Sequence, residues 1–114
     1  MKRKVKFFIG DIIQNMRLAK KVVADIDFQA FVSMEEKNYT VVRCIEIIGE
    51  AVKNIPEDLR MENPEVPWKA LAGMRDLAIH FYMGIDYKII WEAVKIDYPA
   101  LLPHIEKIYS EVKD

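Results

Sequence analysis

The chain has 114 residues, 52% hydrophobic and 31% charged, with a formal net charge of −1. A domain of this size buries roughly two-thirds of the surface its unfolded form exposes, so a real core is expected without a disulfide staple, and the composition excludes disorder. A near-neutral chain has no global positive field, which confines any RNA contact to a local cleft.

The lone Cys44 cannot form an intramolecular disulfide and lacks the spacing of a metal-binding cysteine, which fits a reducing cytoplasm. The segment Met1 to Gly10 begins like a signal peptide, but Asp11 and Gln14 cut its apolar run short of an export signal. No apolar stretch approaches the roughly 20 residues of a membrane span. A cytoplasmic protein is expected.

Apolar residues recur with helical spacing almost throughout, and Gly and Pro fall mainly between the periodic segments. A first helix is expected from about Val5 to Ala24, burying Phe8, Ile12, Ile13, Met16, Ala19 and Val23. Asp27 has the position of an N-cap for a short second helix. The longest helix, from about Glu35 to Asn54, is expected to be central, with Val41, Ile45, Ile48 and Val52 as its stripe and Cys44 and Ile47 widening it. Gly49 in mid-helix costs about 1 kcal/mol relative to Ala, and close approach of another helix explains it best.

Pro56, Pro64 and Pro67 then interrupt the chain, leaving room for one helical turn around Glu57 to Met61. Pro67 suits the first position of the next helix, where its missing N–H would be unpaired anyway. That helix carries Leu71, Met74, Ala78 and Phe81 as its stripe and is expected to end near Gly84. Asp86 would cap a further helix through Ile89, Ile90, Ala93 and Val94, ending at Pro99, and a last helix would hold Leu101, Leu102, Ile105, Ile108 and Val112. Without repeats or a flexible linker, residues 1–114 form a single domain in this reading, an all-α, up-and-down bundle of four to five main helices.

The segment Arg75-Asp76-Leu77-Ala78-Ile79-His80-Phe81-Tyr82 puts a permanent cation, an imidazole and a phenol within about two helical turns. Guanidinium binds phosphate oxygens in bidentate fashion, and imidazole exchanges protons near neutral pH. With the ribose 2′-hydroxyl as nucleophile, such groups cleave RNA without a metal. Asp76 and His80, four residues apart, share a helix face, so the carboxylate can orient the ring. Arg75 and Tyr82 share another. Arg75 and His80 are separated by about 140° around the axis and about 7.5 Å along it, a poor fit to one phosphate on one straight helix. Two copies about a two-fold axis would combine both Arg and both His in a shared groove, so a homodimer is expected.

Arg75 to Tyr82 follows the pattern R-x-x-x-x-H-x-Y, continued by Gly84-Ile85-Asp86-Tyr87 and Trp91-Glu92 and preceded by Glu46-Ile47-Ile48-Gly49-Glu50-Ala51-Val52-Lys53 and Pro67-Trp68. In these motifs the chain resembles HepT-like members of the HEPN superfamily. The resemblance implies a homodimeric, metal-independent endoribonuclease toxin paired with an MNT-type nucleotidyltransferase antitoxin. It makes Arg75 and His80 the catalytic pair and Tyr82 the tyrosine that the antitoxin modifies with AMP. Phe81 is bulkier than the residue many relatives carry there, which implies altered access to the site.

Each of these residues also has a plainer account. Arg75 and His80 suit a solvated helix face, and Tyr82 an amphipathic surface site. Glu46 and Glu50 lie on one face with Arg43, which suits a charge lattice in water; alternatively Glu46 reaches across the bundle to hold Arg75 as a supporting residue. His104 lacks a partner motif, the two histidines lack a metal-ligand spacing, and Lys2, Arg3, Lys4 and Lys6 suit a solvated tail. No metal or other cofactor is expected. The rival function is a catalytically silent helical module that binds a nucleotidyltransferase partner or a nucleotide. The near-neutral charge favours that rival, and the clustered Arg75, His80 and Tyr82 favour the ribonuclease.

Overall fold

Between Val5 and Val23 apolar side chains return every three or four residues, and the segment forms helix α1 with Ile9, Ile12, Ile13, Met16, Ala19 and Val23 buried along one stripe. The structure, a computed structural model, describes residues 4–79 and 87–114. Lys4 supplies no side-chain cap to α1. Its place is taken from the far end of the chain, where the Asp114 carboxylate accepts from the Val5 and Lys6 amides at 2.6 and 3.1 Å. Asp27 caps α2 (Phe28–Ser33) as expected, accepting from the Ala30 amide at 2.8 Å.

Helix α3 (Glu35–Lys53) buries Val41, Cys44, Ile45, Ile48 and Val52 and packs against α1 and α5 (Trp68–Ile79), which makes it the central element expected. The short α4 (Glu57–Glu62) is tied to the start of α5 through Trp68, whose indole N–H donates to the carbonyls of Arg60 and Asn63 at 3.1 and 3.0 Å. Pro67 stands one position before the first helical residue, and its carbonyl accepts the first helical bond of α5, from the Leu71 amide at 3.0 Å.

Two expectations need correction. Pro99 does not end a helix: α6 (Tyr87–Glu92) runs through a π-helical turn (Ala93–Asp97) directly into α7 (Tyr98–Glu111). A proline ring collides with the carbonyl four residues before it in a regular helix, and the wider turn ahead of Pro99 accommodates it. Consequently His104 lies exposed within α7, not near a helix start. The second correction concerns the stripes of α1 and α3. Ile9 is fully buried and absent from the expected stripe, whereas Phe8 and Ile47 are only half-buried and border a cleft.

Every regular element among the described residues is helical, and no helix among them is long and apolar enough to cross a membrane. In the core, burial pushes up the Cys44 thiol; it also pushes up the Tyr98 phenol, which is further raised by Cys44 and Asp97. Both groups keep their protons in the fold after the unfolded chain has released them, so their contribution to stability is intact below about pH 8.5 and declines as pH rises. Thermal melts are expected to show Tm falling from about pH 9 upward. A thiol-specific disulfide reagent should leave native Cys44 unreacted at pH 7 and titrate it fully in denaturant, and rapid reaction of the native protein would mean that α3 opens readily.

Candidate active site

The site begins where α5 crosses α3 at Gly49. A Cβ built there would lie 2.6 Å from the Cβ of Arg75 and 3.4 Å from the carbonyl oxygens of Leu71 and Ala72, so only a residue without a side chain lets the two backbones meet. The close approach expected from a mid-helix glycine is present, and its partner is the root of Arg75.

From that root the Arg75 side chain, 32% exposed, extends along α3 until its Nε lies 3.3 Å from Oε2 of Glu50. Its Nη1 is 3.8 Å from Oδ1 of the exposed Asp76, within ion-pair range but too long for a hydrogen bond. The expectation that Glu46 holds Arg75 is corrected here. The carboxylate that reaches Arg75 is instead Glu50, because it follows directly on Gly49, where the helices touch, whereas Glu46 lies about 6 Å back along α3. The signal for Glu50 was its adjacency to the mid-helix glycine.

Glu46 and Arg75 nevertheless border the same cleft, of about 340 Å³, together with Phe8 and Asp11 of α1, Arg43, Ile47 and Glu50 of α3, and Asn54. Two guanidinium groups and three carboxylates thus line a depression with an apolar wall. Phe8, Asp11 and Asn54 carried no motif and were missed from sequence, since each becomes a neighbour of Arg75 only through the packing of α1 and α5 on α3. The remaining candidates, His80 and Tyr82, lie outside the described residues, as do Phe81, Gly84 and Asp86. Among the described residues no group of His, Cys, Asp and Glu is placed to hold a metal ion.

The family described as "Ribonuclease HepT-like" matches residues 12–108, a span that takes in α3, α5 and the whole R-x-x-x-x-H-x-Y segment. The chain belongs to the HepT-like ribonuclease family. "Putative RNase MJ0125" of Methanocaldococcus jannaschii is 42% identical over 99% of this chain and 97% of its own length. "Probable ribonuclease HepT" of Thermococcus cleftensis is 41% identical over 95% and 98%, respectively. "Putative RNase TTE0752" of Caldanaerobacter subterraneus subsp. tengcongensis is 40% identical over 93% and 95%. No solved structure matches the chain significantly. The similarity to these relatives therefore spans nearly the whole chain rather than one motif, and the all-helical architecture accords with the family.

Proposed function

We propose that this HepT-like chain, a single domain over residues 1–114, is a metal-independent endoribonuclease acting as a homodimer, the toxin of a HEPN–MNT toxin–antitoxin pair. The observation that carries the reading is Arg75, pinned between Gly49 and Glu50 beside an open cleft at the start of the R-x-x-x-x-H-x-Y segment of a HepT-like ribonuclease family member. In the reaction the ribose 2′-oxygen bonds to phosphorus and the bond from phosphorus to the 5′-oxygen breaks. His80 moves the protons between these oxygens, Arg75 stabilises the charge that gathers on the phosphoryl oxygens, and Asp76 orients His80. Two protomers would complete the groove, since on an ideal straight helix Arg75 and His80 would be separated by about 140° around the axis.

Tyr82 is the site of control. An AMP group there would put negative charge where Arg75 receives the RNA phosphate and would fill the groove. Co-expression with an MNT-type nucleotidyltransferase is expected to add one or more AMP units at Tyr82 and to suppress cleavage, while Tyr82→Phe stays toxic. Intact-protein mass spectrometry checks the addition, and complete inhibition of an unmodified protein would move control to steric binding.

The central test is cleavage of RNA by the purified protein in the presence of a chelator, with 2′,3′-cyclic phosphate ends expected; dependence on magnesium would contradict the mechanism. Light scattering should find a dimer at micromolar concentration. The second reading, a silent module binding a nucleotidyltransferase or a nucleotide, draws on the carboxylates of Asp11, Glu46 and Glu50 in the cleft, which offset the field of Arg43 and Arg75. That reading gains if the purified dimer leaves RNA intact.

A further inference from the structure

We propose that Glu50 is a positioning residue that holds the Arg75 guanidinium with its outer edge toward the RNA phosphate; the inference rests on the ribonuclease reading above. Arg75 is fixed at two points. Its Cβ lies against the bare backbone of Gly49, where an added side chain would have no room, and its Nε meets Oε2 of Glu50 at 3.3 Å. A free arginine side chain loses considerable rotamer freedom when it clamps a ligand, and a side chain held at root and head has already lost it.

The choice of nitrogen matters. A guanidinium presents five N–H donors in a planar fork, and the Glu50 carboxylate forms an ion pair with it on the Nε side. The Glu50 contact is to Nε rather than to the two terminal nitrogens, which together make a bidentate edge for phosphate, and the 3.8 Å from Nη1 to Asp76 is longer than a hydrogen bond. Glu50 therefore aims the outer edge without occupying it. Stability does not account for the pair, because the Glu50 side chain is 61% exposed and ion pairs of that kind add little to folding. The pair is instead placed to fix the orientation of a cation on the rim of a cleft.

The test compares Glu50→Ala and Glu50→Gln in the full-length protein. Both variants should melt as the wild type does. Glu50→Ala should lower kcat/KM for a short RNA by about tenfold, because displacing a reacting group by a fraction of its length has effects of this order. Glu50→Gln, which keeps the length of the side chain but loses the charge that attracts the guanidinium, should fall between Glu50→Ala and wild type. Binding of a 2′-O-methyl RNA should weaken on Glu50→Ala in the wild-type background and not in Arg75→Ala, which separates action through Arg75 from a general structural effect. In ¹⁵N-arginine spectra the Arg75 Nε–H should exchange more slowly in wild type than in Glu50→Ala. A Glu50→Ala enzyme as active as wild type, or more active because a competitor for the guanidinium has gone, overturns the positioning role. A wild type that neither cleaves nor binds RNA overturns the ribonuclease reading and this role with it, and the Nε–H exchange then still reports whether the clamp exists.

Discussion

His80→Ala is expected to lower RNA cleavage by about 10² to 10⁴, the range that general acid–base assistance supplies. Arg75→Ala should cost about 10² to 10³ through the loss of a fixed positive charge at the phosphoryl oxygens. Neither loss should come from unfolding. Arg75 is partly solvent-exposed and its ion pair is made with an exposed carboxylate, so removing the guanidinium leaves no buried charge behind. Single-turnover assays on end-labelled RNA, run beside thermal melts, separate the two effects. If His80→Ala cleaves within about threefold of wild type, proton transfer belongs to another group and the acid–base assignment falls. If it loses activity together with its melting transition, His80 is a structural residue.

The helical architecture was legible because α1 and α3 each bury a stripe with helical period, while α5 buries Trp68 and Leu71 among the described side chains, and the period survives whatever the helix packs against. The cap at Asp27 was legible for a similar reason, since it depends on a bond spanning three residues. Pro99 misled because a proline removes a hydrogen bond in either outcome, a helix end or a π turn, and the choice between them is made by the packing of α7 and the π turn against α1. Within the site, Arg75 stood out through its motif, whereas its partner was misassigned by one helical turn. Glu46 and Glu50 share a face and a chemistry, and only the crossing point at Gly49 decides which of them faces Arg75. Phe8 and Ile47 match the helical period at the edge of a stripe, where period alone does not distinguish a core side chain from the wall of a cleft.

The two described glycines nearest Arg75 should respond to alanine in opposite directions. At Gly73 on α5 an added Cβ meets nothing within 4 Å, so Gly73→Ala should gain up to about 1 kcal/mol from helix propensity and raise Tm. At Gly49 the same propensity gain is offset by a 2.6 Å contact with the Cβ of Arg75, an atom fixed to its backbone that no side-chain rotation moves away. The helices must separate, and overpacking of this kind costs about 1–3 kcal/mol, occasionally more. Gly49→Ala should therefore melt several degrees below Gly73→Ala, given about 4–8 °C per kcal/mol for a small domain. Its cleavage should fall further than its stability, by about tenfold or more at a temperature where it remains folded, because the shift displaces the root of Arg75 relative to Glu50. Differential scanning calorimetry and single-turnover cleavage on the two variants decide the matter: a Gly49→Ala protein that melts above Gly73→Ala would mean that α3 and α5 do not cross in contact at Gly49, and the placement of Arg75 that depends on that crossing would fall with it.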